Sequence, residues 1–127
     1  MQAILLVGLG GFLGSVARYG LASYVLQAAG PHRFPFGTFA VNLLGCLVAG
    51  LLAGCAERYE VIGPEARLFL FTGLLGGFTT FSAFGLEATN LIRRGDLGTA
   101  ALYVSGSVSL GLIAVGLGFW VVSLLPR

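Results

Sequence analysis

Hydroxyl and amide side chains lie inside long apolar stretches of this chain, where they are the groups best suited to do chemistry. Thr38 and Asn42 are four residues apart, and so are Tyr103 and Ser107, a spacing that places each pair on one face of a helix. Each of these side chains offers a neutral hydrogen-bond donor. Because burying a polar group in hydrocarbon is costly, such residues are the strongest indication of function in an apolar chain.

More hydroxyls occur in the segment from Gly73 to Phe84, which reads GLLGGFTTFSAF and combines them with glycines and aromatic rings. Glycine clusters interrupt helices, so we expect a break near Gly76–Thr80. A helix interrupted in hydrocarbon exposes backbone polar groups, which protein, water or an ion must satisfy. The hydroxyls around the predicted break belong to Thr79, Thr80 and Ser82.

The chemistry of this set suits a small anion that must lose its water and later be released. Hydroxyl and amide donors replace water in small steps, whereas a fixed cation in a pore would hold the anion more tightly. Phe81 and Phe84 are three residues apart and project in neighbouring directions, and the positive edge of an aromatic ring is able to face an anion. A structural role stays open for each residue, because Ser and Thr hydroxyls also bond to carbonyls of their own helix.

The composition places these residues in a membrane, since 57% of the 127 residues are hydrophobic and only 9% are charged. Four long stretches with few charges each supply the roughly 20 residues that cross a bilayer. We predict an all-α integral membrane protein with a single four-helix transmembrane domain, residues 1–127. The predicted spans are roughly 3–29, 36–56, 68–92 and 97–125, with a loop from Glu57 to Arg67. Such short connections leave no room for a catalytic domain, so no enzyme activity is expected.

The arginines are balanced between the two sides of such a four-span chain. Three share the side of the N-terminus and three occupy the other, namely Arg58, Arg67 and Arg127 against Arg33, Arg93 and Arg94. Orientation normally follows an excess of Lys and Arg on the cytoplasmic side. The balance favours insertion both ways round and an antiparallel, dual-topology homodimer, although one dominant segment is also able to decide the orientation. Two glycine pairs at helical spacing, Gly10 with Gly14 and Gly50 with Gly54, indicate close helix packing and point to assembly as well.

Five other residues carry weaker indications. Arg18 lies inside the first span, where it serves either a pore mouth or a structural role. Glu87 follows the apolar part of the third span, and we interpret it as an interfacial or helix-end carboxylate that is able to bond Arg18 or a loop arginine. Like Arg18, it serves either a vestibule or a structural role. Cys46 and Cys55 share one helix and therefore do not bridge each other, and His32 is assigned no role.

Three segments of the chain resemble a known family. GGFLGSVARY from Gly10 to Tyr19, GTFAVNLLG from Gly37 to Gly45, and GLLGGFTTFSAF in the third span are similar in order and spacing to the signatures of the Fluc fluoride channels, also called the CrcB family. The resemblance covers essentially the whole chain, and the third segment is highly specific. It implies a small bacterial or archaeal membrane protein.

The resemblance also implies an assembly and a set of roles. It implies an antiparallel, dual-topology homodimer with two fluoride pathways and a structural sodium ion at its centre. In that family, backbone carbonyls at the helix break hold the sodium, and they match Gly76 and Thr79 of each subunit. The family's pathway residues match Phe81, Phe84, Asn42, Thr38, Tyr103 and Ser107 in this chain. Thr80 and Ser82 are added to the predicted pathway from their place beside the break.

Two positions depart from the family pattern. The common motif ends in TTFSTF, but this chain has Ala83 in place of the second-last threonine. The polar track of the fourth span often continues with a serine one turn beyond Ser107, where this chain has Gly111. Each change removes a hydroxyl donor, so we expect fluoride selectivity to persist with an altered rate.

We therefore predict a passive, highly selective fluoride channel in the cell inner membrane, which exports cytoplasmic fluoride and so relieves its toxicity. The expected partners are a second copy of the chain, fluoride and the lipid bilayer, with no nucleic acid. An alternative is a small dual-topology, proton-coupled exporter of cations or drugs, a class that needs a carboxylate within the membrane. Glu87 is the sole candidate for that carboxylate. A third reading is a scaffold that transports nothing.

Overall fold

The computed structural model describes residues 1–126 of the chain, and nearly all of them lie in helices. The helices are α1 (Gln2–Ala29), α2 (Phe36–Tyr59), α3 (residues 64–78), α4 (Phe81–Arg93) and α5 (Leu97–Leu124). Together α3 and α4 form one interrupted span, Pro64–Arg93, so four stretches are long and apolar enough to cross a membrane. The predicted all-α, multi-pass membrane fold is therefore confirmed.

The helix ends lie close to the predicted ones, with one exception between the second and third spans. The predicted loop from Glu57 to Arg67 is wrong, because α2 continues to Tyr59 and α3 begins at Pro64. Proline is favoured in the first turn of a helix, where its missing N–H is not needed. Glu60 adopts a left-handed conformation with a φ of 51°, which ends α2. The connection is therefore only residues 60–63.

The spans alternate in direction, so the connections lie at two opposite ends of the helical bundle. At the end that holds the N-terminus, Gln2 Nε2 donates to Glu65 Oε1 over 2.9 Å. At the other end, Arg33 Nη1 lies 3.5 Å from Asp96 Oδ2. This arrangement agrees with the predicted division of the arginines between two ends, of which Arg127 lies outside the described residues.

Glycines form two seams along which helices meet backbone to backbone. In the α1–α3 seam, a Cβ atom added at Gly10 would lie 2.6 Å from a backbone carbonyl of α3, and one at Gly14 would overlap the carbonyl of Leu74. In the α2–α5 seam, a Cβ atom at Gly50 would overlap the carbonyl of Val115. The predicted close packing of these glycines is confirmed. Their close neighbours in this structure are other helices of the same chain.

Tyr103 lies at the centre of the small apolar core that joins α4 to α5. Its side chain is fully buried and packs with Leu91 and two alanines. The rings of Phe34 and Phe84 lie 5.4 Å and 5.2 Å from the ring of Tyr103, measured between centroids. Phe84 is therefore a core residue as well as a predicted pathway residue. The core holds α4 in place immediately after the interruption of the third span.

Candidate functional site

The third span is interrupted at two residues, Thr79 and Thr80, whose backbones are extended. Their φ and ψ angles are −82° and 157° for Thr79 and −149° and 119° for Thr80. The span winds as a π-helix over Leu68–Leu75 before the break, and α4 begins at Phe81 after it. The predicted break near Gly76–Thr80 is confirmed.

Side chains next to the break cap both helix ends. Thr79 donates to the carbonyl of Leu75 from its backbone N and from its Oγ1, each over 2.9 Å. Thr80 Oγ1 accepts a bond from Ala83 N over 3.2 Å at the start of α4. Threonine hydroxyls often satisfy backbone groups in this way. Within this chain, both hydroxyls therefore have a structural role, because each bonds a backbone group of its own span.

The side-chain amide of Asn42 pairs with the backbone of Thr80 across the gap between α2 and the break. Asn42 Nδ2 donates to Thr80 O over 2.9 Å, and Thr80 N donates to Asn42 Oδ1 over 2.8 Å. The side-chain amide of Asn42 thus provides the two hydrogen bonds that the backbone N–H and C=O of Thr80 do not make within a helix. Gly45 lies one turn along α2, and a Cβ atom there would overlap the methyl group of Thr79. Helix α2 therefore holds the break by one directed pair of bonds and one close contact.

Several carbonyl oxygens lose their usual helical donors at the break, and those of Gly76 and Thr79 are among them. In a continuous helix, the carbonyl of Gly76 would accept from Thr80 N, and that of Thr79 from Ala83 N. Here Thr80 N is bonded to Asn42 Oδ1, and Ala83 N is bonded to Thr80 Oγ1. These two carbonyls are the ones that the family resemblance associates with sodium. Their donors are diverted, so their oxygens are available to a hard cation.

A carboxylate lies in the middle of α4 and accepts bonds from two predicted pathway residues. Thr38 Oγ1 donates to Glu87 Oε1, and Tyr103 O–H donates to Glu87 Oε2, each over 2.7 Å. The interpretation of Glu87 as a helix-end carboxylate is wrong, since α4 runs six residues further to Arg93. Its oxygens bond hydroxyls of α2 and α5, not Arg18 or a loop arginine. Within residues 1–126, the one ion pair is that of Arg33 with Asp96.

Sequence reasoning missed this acceptor, although a signal for it was present. Glu87 lies three residues after Phe84, so both side chains share a face of α4. Phe84 contacts the ring of Tyr103, and Glu87 bonds the hydroxyl of the same residue. The three-residue spacing between Phe84 and Glu87 therefore indicated that Glu87, like Phe84, faces Tyr103 of α5.

A cavity of about 500 Å³ lies beside the break, between α2, the third span and α5. The ring of Phe81 is 83% exposed and its centroid lies 5.4 Å from that of Phe84. Ser107 Oγ is buried and has no hydrogen-bond partner within the described part of the chain. The cavity brings together seven of the predicted site residues, namely Asn42, Gly76, Thr79, Thr80, Phe81, Phe84 and Ser107. Most other lining residues are apolar.

The predicted donors therefore divide into engaged and free groups. The hydroxyls of Thr38 and Tyr103 donate to Glu87, and neither residue lines the large cavity. Ser107 faces the cavity without a partner, and Asn42 has a second amide N–H besides the one bonded to Thr80. Ser82 is exposed, with its Oγ 3.2 Å from Thr80 Oγ1, and it is absent from the lining of this cavity.

A second cavity, of about 260 Å³, lies on the α1 side of the break. Arg18 is half-buried there and shares the lining with Thr38 and Thr80. Ala83, the first departure from the family motif, lines the same cavity. Its lining contains no acidic side chain, so the guanidinium group gives this space a positive charge. Arg18 is thus brought next to two predicted pathway residues but not to Phe81 or Phe84.

Comparisons with known proteins agree with this architecture. The family model described as CrcB-like protein, Camphor Resistance (CrcB), matches residues 5–119. A protein of Methylobacillus flagellatus named fluoride-specific ion channel FluC is 51% identical over 124 residues, which are 98% of this chain and 97% of the relative. A protein of the same name from Nitratidesulfovibrio vulgaris is 49% identical over 118 residues, 93% of this chain and 94% of the relative. The match over nearly the full length confirms the resemblance of the motifs, and the chain belongs to the CrcB family.

Proposed function

We propose that this chain is a passive, fluoride-selective ion channel that lets fluoride leave the cell. The observation that carries the proposal is the cavity beside the helix break, where Phe81, Phe84 and the unpartnered Ser107 hydroxyl meet. Two full-length relatives named fluoride-specific ion channel FluC support it. Channel function requires no catalysis, and the protein is not an enzyme.

The cavity suits an anion that must be desolvated and then released. Ser107 offers a hydroxyl donor and Asn42 a second amide N–H, and both are neutral. The rings of Phe81 and Phe84 are tilted by 38° to each other, and ring edges carry the positive end of the quadrupole. The lining of the cavity contains no arginine or lysine. An anion is therefore held by weak, replaceable interactions and does not become trapped.

The second cavity, which Arg18 lines, attracts anions toward the break without binding them tightly there. Arg18 gives this space a positive charge, which raises the local concentration of anions. Thr38 and Tyr103 donate their hydroxyls to Glu87. Fluoride is an acceptor like a carboxylate oxygen, so it competes with Glu87 for the same two hydroxyls. We propose that these hydroxyls serve the ion by turning away from Glu87.

The proposed assembly is an antiparallel homodimer of two chains inserted in opposite orientations. The balanced arginines support it, because they give no strong preference for one orientation. The carbonyls of Gly76 and Thr79 fit a structural sodium ion, because their helical donors are diverted to other acceptors. A bound sodium ion would be coordinated by these oxygens and would compensate their partial negative charge. In the dimer, the Gly76 and Thr79 carbonyls of both chains together would provide four oxygen ligands for the sodium ion.

The direction of transport follows from the chemistry of hydrogen fluoride. This weak acid crosses bilayers and ionises inside the cell, where the anion accumulates. A channel in the cell inner membrane then lets the negative interior potential drive fluoride out, which relieves its toxicity without ATP. A proton-coupled exporter of cations needs a carboxylate that is free to exchange a proton for its substrate. Both oxygens of Glu87 are engaged by hydroxyls, so the site favours the channel.

The test is anion efflux from liposomes that contain the purified protein. Fluoride and chloride are followed separately while an ionophore clamps the voltage and no proton gradient is applied. We expect rapid fluoride release with negligible chloride release. Absence of fluoride release from membranes that contain folded protein would exclude the channel and return attention to Glu87 and to cation export.

A variant of Phe81 separates a channel from a scaffold. The ring of Phe81 is 83% exposed in the single chain, so Phe81→Ala should leave the chain folded and abolish fluoride efflux. Phe12→Ala is a matched control, because Phe12 is 66% exposed on α1 and does not line the cavity. Equal efflux from both variants and the unmodified protein would contradict the assigned pathway.

A further inference from the structure

Helices α2 and α5 carry three facing pairs of residues at successive helical turns. The α2 residues are Thr38, Asn42 and Cys46, and the α5 residues are Tyr103, Ser107 and Gly111, each four apart. In the first pair both hydroxyls bond Glu87. In the second pair, Asn42 and Ser107 line the large cavity. The third pair is the one in which the α5 residue has no side chain.

The space left by Gly111 is next to the thiol of Cys46. A Cβ atom added at Gly111 would lie 3.4 Å from Cys46 Sγ, which is ordinary contact distance. Cys46 lines the cavity together with Ser107. Beyond Cys46, the lining residues of α2 and α5 are Ala49 and Val115, which have no polar side-chain atom. The thiol is therefore the last polar side chain of these two helices that lines the cavity.

We propose that the Cys46 thiol is a hydrogen-bond donor of the ion pathway, placed one helical turn beyond Ser107. The inference rests on the proposed fluoride channel and adds a residue to it. Ser107 Oγ is buried without a partner and faces the same cavity, which marks this wall as a place where an acceptor binds. Beyond Ser107, the residues of α5 that line the cavity are Val108 and Val115, which offer an ion no donor. The neighbouring thiol on α2 supplies the S–H group there.

The chemistry of a thiol suits this position. An S–H group is a weaker donor than a hydroxyl, so it stabilises a partly desolvated anion and releases it readily. The cavity that Cys46 lines supplies the room for the ion beside the sulfur atom. Because one weak donor is lost, Cys46→Ala should lower fluoride efflux about two- to fivefold.

Substitutions at Cys46 separate a donor from a packing residue. Efflux of fluoride is measured from liposomes that contain the full chain with Cys46→Ser, Cys46→Val or Cys46→Ala. A donor role predicts that Ser keeps the efflux while Val, which fills the space without a donor, lowers it as Ala does. A packing role predicts the reverse order of Ser and Val. Cys55→Ala is the matched control, because Cys55 lies on the same helix and does not line the cavity.

A hydroxyl introduced on the facing helix α5 provides a second test of the donor role. Gly111→Ser in the Cys46→Ala chain should restore efflux to within about twofold of the unmodified protein, since the new hydroxyl lies at the same turn. A purely structural defect at Cys46 would not be repaired by a donor on α5. Absence of rescue, with both variants folded, would therefore count against the inference.

Chemical modification tests the site while Cys46 itself is kept. Methyl methanethiosulfonate transfers a methylthio group to a cysteine thiol and releases methanesulfinate. It should block efflux through the unmodified chain and through Cys55→Ala, with recovery after a reducing agent. Unchanged efflux in both, while the unmodified protein still conducts fluoride, would overturn the role of Cys46 and leave the channel intact. Failure of the unmodified protein to conduct would overturn the channel itself, and this inference with it.

Discussion

The two glycine seams and the helix break hold the same bundle together by opposite means. In the seams, helices approach until a Cβ atom at Gly14 or Gly50 would overlap a carbonyl of the neighbouring helix, and no directed bond is needed. At the break, directed bonds from Asn42 and the threonine side chains replace the missing helical ones. The seams position the helices. The break leaves carbonyl oxygens without their helical donors, next to the cavity that Ser107 of α5 lines, and these are the groups that are able to meet an ion.

The difference explains why polar groups are concentrated in one part of an apolar chain. Without water between helices, close backbone contact is sufficient for packing, as small residues at membrane interfaces indicate. Unpaired polar groups are costly in that environment, so they persist where an ion or water offsets the cost. Substitutions in a seam should therefore damage folding first. Substitutions at the break should damage transport as well.

The largest effect is expected in the α2–α5 seam. Gly50→Val places a side chain on the carbonyl of Val115, and overpacking of this kind should cost about 3 kcal/mol or more. We expect loss of monodisperse protein in size-exclusion chromatography and a sharp fall in thermal stability. Gly116→Ala is the control, because a Cβ atom there meets nothing within 4 Å. Normal folding of Gly50→Val would show that the α2–α5 seam accommodates a larger side chain. It would contradict the view that the seams depend on close backbone packing.

The next effect is expected at Asn42. Asn42→Ala removes both bonds to Thr80 and leaves a peptide N–H and a carbonyl without partners, at about 1 to 3 kcal/mol for each group. Fluoride efflux should also fall about tenfold, because the position of the break and one amide donor are lost together. Efflux and thermal unfolding are measured on the same preparation. Asn90→Ala, the same substitution on α4, should change neither, and a purely thermal defect in Asn42→Ala would assign this residue to packing alone.

A smaller effect is expected at Glu87, where the polar groups are fully paired. Glu87→Ala leaves the hydroxyls of Thr38 and Tyr103 without their acceptor, whereas Glu87→Gln keeps one acceptor oxygen. The Gln variant should therefore be more stable than the Ala variant by about 1 kcal/mol, measured by thermal unfolding. Glu65→Gln at the bundle end, where Glu65 accepts from Gln2, serves as an exposed control. Equal stability of the two Glu87 variants would mean that the hydroxyls find other partners.

The smallest effect is expected outside the spans, at Asp96. Its carboxylate accepts from Thr99 N over 3.3 Å at the start of α5 and lies 3.5 Å from Arg33. The bonds from Thr99, with the added charge of Arg33, hold the pKa of Asp96 below its usual value. The folded pKa is lower than the unfolded one of about 3.9, so this stabilisation is complete above that pH and disappears as the pH falls through the folded pKa.

Thermal unfolding between neutral and acidic pH measures this contribution. The stability of the unmodified protein should fall more steeply in acid than that of Asp96→Asn, by a small amount because the pair is close to solvent. Parallel curves for the two proteins would show that the cap of α5 does not depend on the charge of Asp96.

The sequence by itself determined the membrane fold, the position of the break and the family. These features depend on local properties: apolar length predicts a span, and the glycine and threonine cluster at residues 76–80 predicts an interruption. The predicted loop at residues 57–67 failed because apolar length says little about where a helix ends near water. There, Pro64 and the left-handed Glu60 decide the boundaries.

The tertiary structure alone decided which polar groups are paired. Residue type, spacing and the family resemblance grouped Thr38, Tyr103 and Ser107 as donors of one pathway. Two of them bond Glu87, and the third has no partner among residues 1–126. It likewise decided that the glycine pairs serve contacts within the chain, and that the Cys46 thiol faces the space at Gly111. The physical reason is that spacing along one helix fixes which residues share a face. Only the packing of helices against one another fixes what that face meets.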